Sequence, residues 1–185
     1  MSEEHRLQTD LSDAELVERA RAGEDAAMSA LVQRYHGASY RVALSVVGDS
    51  DTAMDVAQDT FLKAFRSLDR FRGDASFKTW LLTITANEAR GVLRKRQRRQ
   101  EISIDDAGPI SADGIDPVEA AAITDESTRA RTMLERLPEK QKLSVSLRID
   151  EGLSFREIGD VIGSSEGAAR VNYFHGVRRL REMME

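Results

Sequence analysis

Apolar residues recur at i, i+3 and i+4 through nearly all of this 185-residue chain, while alternating apolar–polar runs of the strand type are scarce. Such stripes can be buried only by packing helix on helix, so the expected fold class is all-α. The punctuation divides the pattern. Ser12, with Glu15 three residues on, forms a capping-box start for a helix ending near Gly23. A second helix is expected from Asp25 to Val47, with Met28, Leu31, Val32, Tyr35 and Val42 as its apolar stripe, and Gly48-Asp49-Ser50 breaks it. A third runs from about Asp51 to Leu68, burying Val56, Phe61, Leu62 and Phe65. Residues 69–74 read as a loop. A fourth helix follows from about Ser76 to Arg98, apolar first (Phe77, Trp80, Leu81, Ile84) and basic last (Arg94, Lys95, Arg96, Arg98).

Residues 100–117 contain Gly108, Pro109, Gly114 and Pro117 among acidic and small residues, which is linker composition. Helicity is expected to resume near Pro117. Three short helices then follow. The first starts at Pro138 and ends before Gly152, the second runs from the Ser154–Glu157 capping box to Ile162, and the last from Glu166 to about Met183. The expected organisation is thus two small helical domains, 1–99 and 127–185, joined by an acidic flexible linker, 100–126.

Charge follows the same division. The formal net charge is -5, yet residues 1–99 sum to +1 and 127–185 to +2, while 100–126 hold 8 acidic residues and no basic one. The average therefore conceals two mildly basic domains either side of an acidic tether. The chain has 0 cysteines, which excludes disulfides and thiolate metal sites. No apolar run approaches the roughly 18 residues of a membrane span, and Met1–Arg6 is polar, so a cytoplasmic location is expected.

Gly152 to Val171 has the anatomy of a helix-turn-helix: a short helix buries Phe155, Ile158 and Ile162, Gly159 permits a close contact, Gly163 turns, and a second helix starts on a serine. That helix could offer Arg170, Asn172, Tyr173 and His175 to base edges, with Arg178, Arg179 and Arg181 nearer the phosphates. Helical spacing alone is equally met by a three-helix module whose arginines are merely solvated. In the first half, Asp55, Gln58, Asp59 and Lys63 form an ordered polar stripe suited to docking, although an ordinary solvated face has the same pattern. From Asp69 to Arg90, aromatics alternate with cations around a glycine-containing loop, followed by Asn87, Arg90 and Arg94. Aromatic faces can stack on unpaired bases while cations follow the phosphates. Phe71, Phe77 and Trp80 can equally be core.

The combination resembles a known family. Asp55-Val-x-Gln58-Asp59-x-Phe61, then Phe71-Arg-Gly-Asp-x-Ser-Phe-x-Thr-Trp80 and Asn87, looks like region two of the extracytoplasmic-function sigma factors of bacterial RNA polymerase. Leu134-x-x-Leu137-Pro138, Glu151-Gly-Leu-Ser-Phe-Arg-Glu-Ile158 and the terminal helix are similar to their region four. The resemblance implies a factor that binds core RNA polymerase and directs promoter-specific initiation. It implies docking of Asp55, Gln58, Asp59 and Lys63 on the clamp helices of the polymerase's largest subunit, and of region four on the flap. It implies -10 recognition and capture of the melted non-template strand by Phe71, Arg72, Asp74, Ser76, Phe77, Trp80, Asn87, Arg90 and Arg94. It implies -35 recognition by Ser165, Glu166, Arg170, Asn172, Tyr173, His175 and Arg178. The acidic linker would thread the basic channels of the polymerase, and an anti-sigma factor is an expected partner. Asn172 and His175 stand where many relatives carry further basic residues, so no -35 preference transfers. No catalytic constellation or phosphate-cradling loop stands out, and His5, His36 and His175 lie far apart in sequence, so neither enzyme chemistry nor a cofactor is expected.

Overall fold

The computed structural model describes residues 11–106 and 132–184. Among them the helices are α1 (Asp13–Arg21), α2 (Asp25–Val47), α3 (Ser50–Arg66), α4 (Phe77–Asp106), α5 (Glu139–Ile149), α6 (Phe155–Ile162) and α7 (Glu166–Met184). A 3-10 turn at Leu68–Arg70 and a helical stretch at 132–135 complete them, with no strand among the described residues.

Local chemistry sets most of the boundaries. Ser12 and Glu15 form the expected reciprocal capping box on α1, and Ser154 and Glu157 form the same one on α6. Gly48 ends α2 in the left-handed region at φ 83, and its N–H bonds to the Leu44 carbonyl. The Asp49 carboxylate accepts from the Thr52 N–H at 2.9 Å and starts α3. The expected fourth helix is longer than the charge pattern suggested: α4 runs past Arg98 to Asp106. Arg, Gln and Glu are good helix formers, and the first true breakers, Gly108 and Pro109, come only afterwards. Helicity near Pro117 falls outside the described residues.

The first lobe, α1–α4, is held by two layers of packing. Leu16, Val17, Leu31, Phe61, Leu68, Phe77 and Leu81 make one buried cluster, flanked by Tyr35, Phe71 and Trp80. The other face of α4, with Leu82, Ala86 and Ala89, packs in a different cluster, which also contains Val42, Val46 and Val56. That cluster continues into the second lobe through Leu143, Leu147, Leu153, Ile158, Val161 and Ile162. The two lobes therefore share one apolar seam, with α4 against α6 and α2 against α5. Leu62, expected in the core, is instead 55% exposed on α3. It lies one helical step, about 100°, from buried Phe61, so the stripe turns away from it.

Within the second lobe the helices approach closely at glycines. A Cβ on Gly159 would stand 2.8 Å from the Ser164 carbonyl oxygen, so α6 and the start of α7 need glycine there. Gly163 takes φ 65 as the turn residue. A Cβ on Gly176 would meet Val145 Cγ2 at 2.7 Å, marking where α7 crosses α5.

Candidate nucleic-acid interface

The helix-turn-helix face is built on α6 and α7. Ser165 caps α7 by accepting from the Ala168 N–H at 3.2 Å. With Ala169 and Gly176 buried, the outward face carries Glu166, Arg170, Val171, Phe174, His175 and Arg178. Arg170 bonds Glu166 at 3.1 Å and lies 5.1 Å from the Phe155 ring centroid, where Arg148 also sits at 5.0 Å. Tyr173 is half-buried and packs edge-on against Phe155 at 5.5 Å. Asn172 is half-buried and donates to the Ala168 carbonyl at 2.8 Å, turned along its own helix. Arg178 pairs with Glu182 at 2.9 Å. Sequence reasoning passed over Val171 and Phe174, which are 55% and 59% exposed. The available signal was that each lies one residue beyond a position already chosen, on an arc with His175 and Arg178.

The second face lies on the loop between the 3-10 turn and α4, and on α4 itself. Phe77 is core, 2% exposed, and its ring centroid lies 5.7 Å from Tyr35, 5.8 Å from Trp80 and 5.9 Å from Phe71. Phe71 and Trp80 are half-buried partners at 5.2 Å. Stacking therefore fixes this aromatic cluster while leaving edges of Phe71 and Trp80 accessible. Arg21, which the sequence did not suggest, braces the loop: its guanidinium donates to the carbonyls of Leu68 and Phe71. Arg72, Asp74 and Ser76 are exposed around Gly73, whose φ is 80. Ser76 caps α4, accepting from the Thr79 N–H at 3.1 Å. Asn87 and Arg94 are exposed about three and five turns into α4, whereas Arg90 is half-buried.

A third face is the outer surface of α3. Asp55, Gln58, Asp59 and Lys63 are all exposed there, with Leu62 among them. Lys63 is bound to Glu88 of α4, so the free groups of the stripe are two carboxylates, an amide and a leucine. Among the described residues no group of three metal-ligating side chains comes together, and no helix is long and apolar enough to cross a membrane.

Comparison with known proteins accounts for this arrangement. The Sigma-70 region 2 family model matches residues 31–99, and the Sigma-70, region 4 model matches 127–180. The chain is 34% identical to the RNA polymerase sigma-H factor of Pseudomonas aeruginosa over 96% of its own length and 94% of the relative's. It is 33% identical to the ECF RNA polymerase sigma-E factor of Haemophilus influenzae, with 95% and 94% covered. The sigma factor RpoE in complex with the anti-sigma factor NepR from Bartonella quintana superposes with a TM-score of 0.65 at 26% identity, covering 83% of this chain and 93% of that one. CnrH in complex with the cytosolic domain of CnrY superposes at 0.68 with 25% identity, covering 93% and 96%. Sigma factors are non-catalytic, so any nucleotide chemistry near these faces belongs to the polymerase. Two matched regions in the expected order, and relatives aligned end to end, place the chain among the ECF sigma factors, the transcription initiation factors that bind core RNA polymerase and promoter DNA.

Proposed function

We propose a division of labour among the three faces. Residues 1–99 dock on core polymerase and read the -10 element, 127–185 read the -35 element, and 100–126 tether them. On α3, Asp55, Gln58 and Asp59 with exposed Leu62 meet the clamp helices of the largest subunit; an apolar anchor within a polar rim is the usual make-up of an energetic interface. The second lobe also contacts the flap region. The loop carrying Arg72, Asp74 and Ser76 captures an unpaired non-template base against Phe71 and Trp80, while Asn87 reads bases, and Arg90 and Arg94 follow the phosphates. Phe77 contributes by holding that cluster from within the core.

On α7, Arg170, His175 and Arg178 supply polar and phosphate contacts, and Ser165 and Glu166 lie at the helix start. Val171 and Phe174 give apolar contact suited to thymine methyl groups. Tyr173 and Asn172, held against Phe155 and the Ala168 carbonyl, support this face from behind. Because the solved neighbours are complexes with anti-sigma factors, an anti-sigma partner is proposed here too, and the protein acts in the cytoplasm.

The observation that carries this reading is the set of three exposed faces, on α7, on the loop before α4 and on α3, where the Asp55, Gln58 and Asp59 stripe has no side-chain partner among the described residues. In vitro transcription with core polymerase on genomic fragments tests it: discrete start sites sharing a -35 and -10 pair are expected. Replacing Gln58 and Asp59 with Arg puts cations where carboxylate and amide stood, at exposed positions that leave the fold intact. Polymerase pull-down is then lost; normal retention refutes the docking assignment.

A further inference from the structure

The loop before α4 is tied at its two ends and nowhere between. At its far end Ser76 accepts from the Thr79 N–H at 3.1 Å, and the two hydroxyls are 2.8 Å apart. At its near end the tie comes from a distant part of the chain. Arg21, the last residue of α1, donates to the Leu68 carbonyl through Nε at 3.3 Å and Nη2 at 3.2 Å, and through Nη2 to the Phe71 carbonyl. Its remaining nitrogen, Nη1, is held by Glu18 on the same helix. Among the described residues the backbone of 72–75 makes no hydrogen bond.

The arm that carries Arg21 is itself fixed. Leu16, Val17 and Ala20 of α1 are buried in the same cluster as Leu68 and Phe77. At the start of α1, Asp13 is bonded by Arg34, at 2.5 Å, and by Tyr35 of α2. A guanidinium presents its donors in one rigid plane, so bonding two carbonyls at once fixes both peptide planes. The Phe71 carbonyl belongs to the peptide that leads into Arg72. Holding it sets ψ of Phe71 at 110 which, with its φ of -72, fixes where the loop leaves and where the ring projects. That ring is the half-buried wall 5.2 Å from Trp80.

We propose that Arg21 is a positioning residue for strand capture: it presets the loop and the Phe71 wall, so that an unpaired non-template base meets a slot already formed. The inference rests on the -10 assignment above. Arg21 acts through the Leu68 and Phe71 carbonyls and does not itself touch DNA. The loop contains Gly73 at φ 80 and has no internal bond, so it samples many paths once its near end is released. Ordering it then falls to the incoming strand and weakens capture. The loss is confined to the captured base, because the residues proposed to follow the phosphates, Arg90 and Arg94, lie further along α4.

The test uses holoenzyme reconstituted from the full chain and core polymerase. A fluorescent single-stranded non-template -10 oligonucleotide is bound intact and with an abasic site at each position in turn. Wild-type holoenzyme shows a position at which loss of the base weakens binding sharply. Arg21→Met keeps an aliphatic stem and removes the donors. It binds the intact strand on the order of tenfold more weakly, and the abasic penalty at that position disappears while the penalties elsewhere persist. Arg21→Lys keeps the charge but not the fork, and recovers only part of the penalty. Trp80, the single tryptophan, gives a second readout: acrylamide quenches it more readily in Arg21→Met than in the wild type. An unchanged abasic profile or unchanged quenching in Arg21→Met overturns the proposal, as does an equal loss at every position, which marks a general loosening. Should Arg21→Met lose helical content, Arg21→Lys decides, and a full wild-type penalty there is the refuting result. A flat abasic profile in the wild type instead overturns the -10 capture reading, and this inference with it.

Discussion

Gly159→Ala asks whether the turn between α6 and α7 is as tight as its geometry implies. The added methyl would stand 2.8 Å from the Ser164 carbonyl oxygen, 3.2 Å from the Ser165 carbonyl carbon and 3.3 Å from the Glu166 nitrogen. All three obstacles are backbone, so no rotamer change clears them and the start of α7 must move. Overpacking of this kind costs about 1–3 kcal/mol. Alanine in a helix interior recovers about 0.5–1 kcal/mol relative to glycine, so a net loss of up to about 2.5 kcal/mol is expected. Gly37→Ala on α2 is the matched control: its Cβ would meet only the flexible end of Arg41, at 3.3 Å, so it stabilises by about the propensity gain. The assays are thermal unfolding and affinity for a duplex -35 element. Because the displaced segment includes the Ser165 cap and Glu166, duplex binding falls by more than stability alone predicts. A Gly159→Ala protein that melts with Gly37→Ala, above wild type, refutes the close-approach reasoning.

Phe77→Ala removes a side chain that is 2% exposed among Tyr35, Phe71 and Trp80, and a loss of about 3–5 kcal/mol is expected in chemical denaturation. A loss under about 0.5 kcal/mol, typical of a surface change, would show that Phe77 is not core. Phe174→Ala, at a 59% exposed site whose ring also packs on Tyr173 and Phe155, is expected to cost little stability and, on the proposed -35 reading, to lose apolar contact with the major groove. Replacing thymine by uracil in a -35 duplex deletes the C5 methyl. It therefore weakens wild-type binding and has little further effect on Phe174→Ala; equal sensitivity in both proteins counts against the contact.

How legible these features were depends on how local their causes are. The capping boxes at Ser12 and Ser154 need four consecutive residues, and the end of α2 needs one glycine, so both stood in the sequence. The far end of α4 did not, because helix propensity continues from Arg98 to Asp106 through residues that include no breaker. Leu62 was misplaced because an apolar residue beside Phe61 fits a broad stripe, and only the partner helices define the stripe's edge. The face of α4 bearing Leu82, Ala86 and Ala89 meets residues beyond 142, a separation that no window of periodicity spans. For the same reason Glu139, Glu151 and Glu157 read as ordinary surface acids until the fold set them against Arg90, Lys78 and Thr79.

The composition of that seam bears on how firmly the two lobes hold together. On the α4 side it offers one leucine and two alanines. Burying a leucine is worth about 1.5–3 kcal/mol and each alanine methyl about 0.8, but Leu82, Ala86 and Ala89 also pack within the first lobe, so only part of that sum belongs to the seam. The pair of Arg41 with Glu151 joins a half-exposed guanidinium to a carboxylate only 5% exposed, so solvent screens it only from the arginine's side. Moving a two-state equilibrium from 99:1 closed to 99:1 open takes about 5.5 kcal/mol. Association with a nanomolar partner supplies about 12 kcal/mol, more than twice that. Larger side chains at Ala86 and Ala89, both 0% exposed, would overpack the cluster at a cost of about 1–3 kcal/mol. Small residues on α4 thus let the two lobes pack closely along the seam.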